Sequence, residues 1–396
     1  MRFLHTSDWH IGRAFHNVSL LQDQAHILQQ IIAIAKEQKV DAILVAGDIY
    51  DRSVPPATAV ELLDKVVDEI VNTLNIALIL IPGNHDSAQR LGFASRQLQR
   101  SGLYILGDLA SITTPIVLQD DSGEVAFWGI PYSDPASVRS VFCLEINQQQ
   151  DTPNVSSHDA AIQLLCQKIT ANFTKGQRNV VLSHCFIDGS SESESERPLS
   201  IGGADRVNWQ HFELFDYVAL GHLHGRQFKG KDCIRYCGSP LKYSFSEEKH
   251  IKSVVIVDLD KDGVCEIEQL VLTPLRNMRS IIGQLDEILS AAINDPNKDD
   301  YLLVKLTDSH AILDVMGKLR EFYPNILHLE RPGLMAAKSS QSKQPKKNNT
   351  SESVMFSDFF TQVMDRALSE DESALVNKVI LDLLDKDQDQ DSGERG

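Results

Sequence analysis

Residues 1–135 alternate short apolar runs with longer segments whose apolar residues recur every three or four positions. The apolar runs at 41–48 and 76–86 predict strands, and the periodic segments at 20–38 and 57–74 predict amphipathic helices. Further apolar runs predict strands at 2–8, 125–130, 179–184, 217–222, 233–239 and 253–259. This alternation indicates an α/β domain in which helices cover a sheet, and we expect it to span residues 1–273.

A smaller unit is predicted over residues 274–335. Its pattern is β-α-β-α-β, with strands at 279–284, 301–308 and 326–331 and helices at 285–294 and 311–323. Residues 336–350 contain four lysines and no acidic residue, which is the composition of a linker. Residues 388–396 form a polar tail.

Two helices are predicted between the linker and the tail, at 357–370 and 372–387 within a C-terminal region 351–387. Each helix carries one apolar stripe. The stripes consist of Phe356, Phe359, Phe360, Val363, Met364 and Leu368, and of Leu375, Val376, Val379, Ile380, Leu383 and Leu384. Because a linker separates these helices from the compact domains, we expect their stripes to bind a partner protein.

Composition places the chain among ordinary globular proteins. Of its 396 residues, 42% are hydrophobic and 23% are charged, and no apolar run exceeds strand length, so we predict no transmembrane helix. The stretch "MRFLHTSDWH" reaches polar residues too early for a signal peptide, and we expect a cytoplasmic protein. The six cysteines form no C-x-x-C pair, which favours a reduced chain without disulfides.

The net charge of −17 argues against a broad positive surface that would attract nucleic acid. Binding to DNA would need a local cluster of arginines and lysines, or a basic partner. The candidates for phosphate contacts are Arg13, Arg52, Arg90 and Arg226, which lie close in sequence to the polar strand ends considered next. The lysines of residues 336–350 are further candidates for phosphate contacts, but we interpret them as part of a flexible, solubilising linker.

The stretch "LIPGNHDSAQ", residues 80–89, begins as an apolar strand and continues with an amide, an imidazole and a carboxylate. Such residues alone are typical of a turn or a helix cap. However, polar residues follow five of the predicted strands, and they are Asp8, His10, Asp48, Asp51, Asn84, His85, His184, His222 and His224. In open α/β sheets the carboxyl ends of the strands form the ligand-binding crevice, so we expect these side chains to converge.

Aspartate, histidine and asparagine ligands without cysteine suit Mn²⁺, Mg²⁺ or Fe²⁺ better than a structural zinc ion. Asp8 and His10 are two residues apart, a spacing that points both side chains of an extended segment the same way. His222 and His224 repeat this spacing. A carboxylate between two clusters can bridge two metal ions about 3.5–4 Å apart, and Asp48 is the natural bridge.

The motifs D-x-H, G-D-x-x-D, G-N-H-D, H and G-H-x-H, in this order over residues 8–224, resemble the calcineurin-like metallophosphoesterase superfamily. The stretches "HTSDWHIGR", "VAGDIYD", "SERPLSIGGAD", "YVALGHLH" and "YCGSPLKYSFSE" further resemble its bacterial nuclease branch. The resemblance implies an α/β fold: a metallophosphoesterase β-sandwich flanked by helices, with a small α/β capping domain and C-terminal partner-binding helices.

The resemblance also implies two divalent metal ions, most suitably Mn²⁺. The ligands of one ion would be Asp8, His10, Asp48 and His224, and those of the other would be Asp48, Asn84, His184 and His222. His85 would be the catalytic histidine beside the scissile phosphate, and Asp86 could orient it or cap the next helix. Archaeal and eukaryotic relatives carry a second catalytic histidine where this chain has Asp51, so we expect Asp51 only to order its loop.

The function implied is that of an Mn²⁺-dependent DNA phosphodiesterase in replication, recombination and repair. It would act as an ATP-dependent 3′–5′ exonuclease on duplex ends and as an endonuclease on single strands and hairpins. Its partner would be a coiled-coil ATPase, with the nuclease as a homodimer within a heterotetramer. The alternatives are a metallophosphoesterase acting on a phosphoprotein or small nucleotide, and a non-catalytic scaffold for DNA ends.

Two other stretches have alternative interpretations. Residues 225–232, "GRQFKGKD", nearly match a phosphate-binding loop, but Asp232 replaces its hydroxyl residue and a strand is predicted to follow instead of a helix. We therefore expect no nucleotide to be bound by this chain. Residues 188–200 form an acidic, serine-rich stretch, which we interpret as a solvated, mobile loop; a gate or a dimer contact near the site is the alternative.

Overall fold

The structure is a computed structural model, and it describes residues 1–142, 155–196, 205–334 and 366–391, together with Ser353, Phe356, Ser357 and Phe360. The chain divides into two units, Met1–Asn277 and Met278–Gly396. Each unit is built around its own apolar core.

The first unit contains two large sheets and several helices. Its strands are β1 (Arg2–Thr6), β2 (Ala14–Phe15), β3 (Val18–Ser19), β4 (Ala42–Ala46), β5 (Ala77–Ile81), β6 (Leu103–Ile105), β7 (Ile116–Asp120), β8 (Gly123–Ile130), β9 (Arg178–His184), β10 (Phe186–Ile187), β11 (Arg206–Val207), β12 (Tyr217–Gly221), β13 (Gln227–Lys229), β14 (Lys231–Tyr236), β15 (Ser253–Leu259) and β16 (Cys265–Val271). Its α-helices are α1 (Leu21–Glu37), α2 (Ala57–Val67), α3 (Ala88–Leu91), α4 (Ser95–Leu98), α5 (Pro135–Phe142) and α6 (His158–Thr170).

Each large sheet has a parallel centre, with antiparallel pairing at one edge of sheet one and at both edges of sheet two. Sheet one has the order β16-β15-β1-β4-β5-β6, in which β1, β4, β5 and β6 are parallel. Sheet two has the order β13-β14-β12-β9-β8-β7, in which β14, β12, β9 and β8 are parallel. Parallel neighbours end at the same edge of a sheet, so the polar residues that follow them are brought together there.

The two sheets enclose an apolar core. Alternate residues of β4, such as Leu44 and Ala46, pack in one cluster with Leu182 of sheet two. Phe3 of sheet one makes an edge-to-face contact with Phe127 of sheet two, with ring centroids 5.9 Å apart. Helix α6 buries its apolar side against the other face of sheet two. The predicted α/β sandwich flanked by helices is therefore confirmed.

An ion pair lies at the end of sheet two away from the carboxyl end of β9. Arg178, the first residue of β9, is buried, and its guanidinium donates two hydrogen bonds to the carboxylate of Asp120, at 3.0 and 2.6 Å. The arginine also donates to the carbonyl of Gly123 at 2.9 Å. This pair holds the amino end of β9 against the turn between β7 and β8.

The second unit contains the predicted β-α-β-α-β order. Its elements are β17 (Met278–Gly283), α7 (Leu285–Ala292), β18 (Tyr301–Leu306), α8 (Val315–Arg320) and β19 (Ile326–Glu330), and the three strands form a parallel sheet. Helix α8 begins later than the predicted position 311. The reason is Asp314, which has φ 49° and caps the helix by accepting a hydrogen bond from the Gly317 N–H at 3.2 Å.

The C-terminal region contains α9 (Glu370–Asp391). The predicted helix 357–370 is wrong at its end, because residues 366–369 are not helical. Ser369 and Glu372 form a reciprocal capping box, with hydrogen bonds of 2.8 and 3.3 Å, that begins α9. The linker 336–350 and the stripe residues Phe359, Val363 and Met364 lie outside the described residues. Every helix in the described part of the chain is too short or too polar to span a bilayer.

Candidate metal centre

The polar residues predicted at five strand ends lie together at one end of the sandwich. They follow β1, β4 and β5 in sheet one and β9 and β12 in sheet two. Three groups have ligand atoms within 4.8 Å of one another: Asp8, His10 and His224; Asp8, Asp48 and His184; and His10, Asp51 and His85. Because the first two groups draw on both sheets, the site forms only where the sheets pack together.

The first group brings two imidazoles close together. The Nε2 atoms of His10 and His224 are 3.1 Å apart, and both side chains are buried. Two neighbouring ligands of an octahedral ion, each about 2.1 Å from it, are about 3 Å apart. The separation of the two nitrogen atoms therefore fits a cation that both histidines bind.

Asp48 belongs to the second group and also lies close to His10 of the first. Its Oδ2 atom is 3.6 Å from His10 Nε2 and 3.5 Å from His184 Nε2. Asn84 Oδ1 is 3.0 Å from the same nitrogen of His184. His184 Nδ1 donates to the carbonyl oxygen of Ala46 at 2.9 Å, which leaves Nε2 of the neutral ring without a proton. Three electron-pair donors thus converge with no proton between them, an arrangement that fits a divalent cation.

His222 is placed differently from the other predicted ligands. Among the described residues, none of the groups with ligand atoms within 4.8 Å includes it. Its ring centroid is 5.4 Å from that of His184, and its backbone N–H donates to Asp8 Oδ1 at 3.0 Å. His222 therefore contacts the second group through its ring and fixes Asp8 through its backbone.

The backbone of the site is strained. Four of the predicted ligands have positive φ angles: Asp8 (54°), His10 (45°), Asp48 (51°) and His222 (102°). Residues other than glycine rarely adopt this region, and those that do cluster at functional sites. Gly83 precedes Asn84 for a related reason, because a Cβ atom there would clash with the Asp48 carboxylate. Close packing around Asp48 thus explains the glycine in the G-N-H-D motif.

Burial shifts the pKa values of the site residues. It lowers the pKa of His10 and His222 well below the usual value and also lowers that of His184. These rings are therefore neutral and able to bind a metal through a nitrogen lone pair. Burial raises the pKa of Asp8 well above its usual value, and the neighbouring Asp48 raises it further. A bound cation would favour the ionised form of Asp8.

His85 lies at the edge of the site with one nitrogen held. Its Nδ1 is 2.7 Å from the backbone oxygen of Asp51, and its backbone N–H donates to Asp48 Oδ1 at 2.9 Å. Its Nε2 is 4.0 Å from Asp48 Oδ2, and the side chain is partly exposed. The side chain of Asp51 is 3.5 Å from Arg13. Asp51 therefore contacts His85 through its main chain, while its carboxylate lies with His10 and His85 in the third group.

Asp86 holds the loop around His85 through the backbone and does not cap the next helix. Its carboxylate accepts hydrogen bonds from the backbone N–H groups of Gly83, Ile49 and Tyr50, at 2.9 to 3.0 Å. Ser87 is the residue that caps the next helix. Burial and the nearby Asp48 raise the pKa of Asp86 to about 7. Asp86 thus ties together the loops that follow β4 and β5.

Sequence reasoning missed the residues that surround His224. Glu247 and Lys252 are buried and bonded to each other, and Glu247 Oε1 is 3.2 Å from His224 Nδ1. Burial raises the pKa of Glu247, but Lys252 and His224 outweigh it, so the pKa lies well below its usual value. Glu247 is the last residue of "YCGSPLKYSFSE", one of the stretches that carry the family resemblance. The sequence therefore contained a signal that this residue belongs near the site.

The acidic loop is described as far as residue 196, and this part is attached to the site. Ser195 Oγ is 2.5 Å from His224 Nδ1, and Glu196 Oε1 accepts a hydrogen bond from the His224 backbone N–H at 2.7 Å. Arg13 donates to the Ser195 carbonyl oxygen at 3.2 Å. These contacts contradict the interpretation of residues 188–196 as a purely solvated loop.

Comparison with known proteins identifies the class. Residues 1–226 match the calcineurin-like phosphoesterase family, and the chain belongs to this family. Residues 274–364 match a second family, described as the type 5 capsule protein repressor C-terminal domain. The chain is also similar to the SbcD subunit of the nuclease SbcCD from Staphylococcus epidermidis. The two are 32% identical over 387 residues, which cover 98% of this chain and 100% of that protein.

Solved structures share a more distant likeness. A dimetal phosphatase from Danio rerio matches with 11% identity and a TM-score of 0.39, over 69% of this chain and 96% of its own. A hypothetical protein from Thermus thermophilus matches with 10% identity and a TM-score of 0.38, over 68% of this chain and 98% of its own.

Proposed function

We propose that this chain is the nuclease subunit of an SbcCD-type complex and hydrolyses DNA phosphodiester bonds with two Mn²⁺ ions. The observation that carries the proposal is the Asp48 carboxylate, which faces His10 on one side and His184 on the other. Similarity to a nuclease subunit over nearly the whole chain favours DNA over other phosphoesters. By resemblance, the activities are ATP-dependent 3′–5′ cutting of duplex ends and endonuclease cutting of single strands and hairpins.

The donor set supports manganese over magnesium. The ligands of one ion would be Asp8, His10, Asp48 and His224, and those of the other Asp48, Asn84, His184 and His222. Imidazole nitrogen is a poor ligand for Mg²⁺, which prefers oxygen donors, whereas Mn²⁺ accepts a mixed set of nitrogen and oxygen. When bound, the two ions would polarise the phosphate oxygens and lower the pKa of a water molecule.

The protein's own residues position the substrate and move a proton. His85 is held at Nδ1 by the Asp51 carbonyl oxygen, so its Nε2 remains available on the side of the metal centre. In the imidazolium form of the ring, Nε2 also carries a proton, which it can donate to the deoxyribose oxygen that leaves phosphorus. Asp86 fixes the loop that carries His85, because its carboxylate accepts hydrogen bonds from the backbone of Gly83 in that loop and of Ile49 in the loop after β4.

Exposed arginines beside the centre support binding to an anionic polymer despite the net charge of −17. Arg52, Arg90 and Arg226 are exposed, and none of them forms an ion pair with another described residue. Arg13 is engaged with Asp51 and is the least available of the four candidates. Unpaired guanidinium groups near the strand ends can neutralise phosphates on the approach to the centre.

The proposed function is tested by hydrolysis of a labelled DNA hairpin. We expect cleavage of the hairpin by the purified full-length chain with Mn²⁺, much slower cleavage with Mg²⁺ and none with EDTA. A phosphoester dye serves as the reference substrate, because its hydrolysis reports phosphoesterase activity of the metal centre without DNA. Hydrolysis of the dye, a phosphoprotein or a small nucleotide without cleavage of any DNA would instead favour the alternative metallophosphoesterase function.

The C-terminal region supports a protein partner, which we propose to be an SbcC-type coiled-coil ATPase. Leu375 and Val379 lie one turn apart on α9 and have 64% and 49% of their surfaces exposed. An amphipathic helix of this kind can bind in an apolar groove of a partner. The nuclease would be a homodimer within a heterotetramer. ATP use would lie in the partner, since residues 225–232 enter the β13–β14 hairpin and not a helix.

Truncation after Met335 tests this assignment. We expect the truncated chain to retain Mn²⁺-dependent cleavage of single strands but to lose association with the ATPase and ATP-stimulated cutting of duplexes. Full-length Leu375→Glu/Val379→Glu should lose association as well, whereas Lys378→Glu, which leaves the apolar pair intact, should retain most of it. Co-purification of the truncated chain with the ATPase at full-length affinity would exclude this region as the binding site.

A further inference from the structure

We infer that Glu247 is a positioning residue of the metal centre, which fixes the tautomer and orientation of His224. This inference rests on the proposed metal-dependent function. Glu247 lies in the short helical turn Phe245–Glu247, between β14 and β15, and its side chain is completely buried. A fully buried carboxylate is rare unless it is paired, so its partners indicate why it is there.

Glu247 contacts His224 directly and through a serine. Its Oε1 atom is 3.2 Å from His224 Nδ1. Ser195 Oγ is 2.5 Å from the same nitrogen and donates its proton to Glu247 Oε1. With the serine hydroxyl donating to the carboxylate, both neighbours of Nδ1 are acceptors. His224 must therefore carry its proton on Nδ1, and the lone pair of Nε2 faces His10.

Lys252 completes the arrangement. Its ammonium group is buried, is bonded to Glu247 Oε2, and donates to the backbone oxygen of His224 at 2.9 Å and to Ser239 Oγ at 2.8 Å. The ion pair thus binds His224 by its ring on one side and by its main chain on the other. Lys252 also balances the charge of Glu247, so the carboxylate can remain ionised in the interior.

A hydrogen-bonded carboxylate behind a histidine ligand holds the ring in place and raises its basicity. Loss of such a partner typically weakens metal binding by about 10–100-fold. The effect should be unequal here, because Glu247 contacts His224 and no other predicted ligand in the described residues. We therefore expect the ion bound by Asp8, His10 and His224 to be weakened, and the ion beside His184 to be nearly unchanged.

The test is a titration of Mn²⁺ into full-length variants, with binding followed by calorimetry and by the electron paramagnetic resonance signal of free Mn²⁺. Glu247→Gln alone leaves Lys252 buried without its partner and can lower stability for that reason. The decisive variant is therefore Glu247→Gln/Lys252→Met, which removes both charges. In this double variant we expect the Mn²⁺ affinity of one site to fall about 10–100-fold and that of the other site to change less than about 3-fold. Ser195→Ala should lower the affinity of the same site by a smaller factor.

Asp120→Asn is the matched control. It also removes a carboxylate from a buried cation, Arg178, but at the opposite end of β9 from the metal centre. It should lower the melting temperature without changing either Mn²⁺ affinity. Two sites of unchanged affinity in a folded Glu247→Gln/Lys252→Met protein would overturn the inference, and so would equal weakening of both sites. A wild-type chain that binds no Mn²⁺ would instead refute the proposed function and this role with it.

Discussion

Asp48→Asn should abolish phosphodiesterase activity and weaken the binding of both Mn²⁺ ions together. One oxygen of this carboxylate is 3.6 Å from His10 Nε2 and 3.5 Å from His184 Nε2, so a single side chain serves both groups of ligands. Its other oxygen accepts the backbone N–H of His85. Asparagine can keep this second contact while it removes the negative charge. The expected loss of several kcal/mol of charge stabilisation corresponds to a rate decrease of about 10³-fold or more.

The measurement is a metal titration alongside hairpin cleavage at saturating Mn²⁺. His10→Ala is the comparison, because it removes a ligand of one group and should weaken mainly one ion. Asp48→Ala should match Asp48→Asn in metal binding and also disturb the loop that carries His85. If Asp48→Asn weakened only one ion, Asp48 would belong to a single site and the bridging role would be excluded.

His85→Gln should separate chemistry from binding. The imidazole belongs to neither of the two groups that contain Asp8, and the Asp51 carbonyl oxygen holds it, so its loss should leave both metal sites intact. Glutamine can form hydrogen bonds but cannot transfer a proton, and loss of a positioned proton donor typically costs about 10²–10⁴-fold in turnover. We therefore expect near-normal Mn²⁺ and DNA affinities with a large decrease in kcat.

The leaving group provides the sharpest test of this role. A nitrophenolate leaves without help from an acid, whereas the deoxyribose oxygen of DNA needs a proton. The His85→Gln variant should therefore lose much less activity on a nitrophenyl phosphodiester than on DNA. Equal losses on the two substrates would assign His85 to phosphate binding, and wild-type turnover on DNA would remove it from the mechanism.

The fold and the predicted ligands follow from local sequence patterns. Each strand of the sandwich centre is an apolar run, and each polar group comes directly after one, as at Asn84 after β5 and His184 at the end of β9. Chain direction in a parallel sheet then brings these residues to one edge. The pattern needs no long-range information beyond the direction of the strands, which is why the convergence could be predicted.

The residues that support the ligands could not be predicted in the same way. Asp86 binds backbone groups of Ile49 and Tyr50, and Glu247 contacts His224 from the connection between β14 and β15. These partners depend on the exact path of loops and carry no periodic signal. The acidic loop was misjudged for the same reason, because its composition is typical of solvated segments while Ser195 and Glu196 bind His224.

The left-handed backbone at four of the predicted ligands has a consequence for evolution and engineering. A residue other than glycine in this region typically costs of the order of 1 kcal/mol. Asp8, His10, Asp48 and His222 therefore make the protein less stable than its fold alone allows. Glycine at any of them would relieve strain while it removed a proposed ligand or its support. For this protein, the sequence of maximum stability and the sequence of maximum activity are therefore expected to differ, and selection for stability alone would act against the activity.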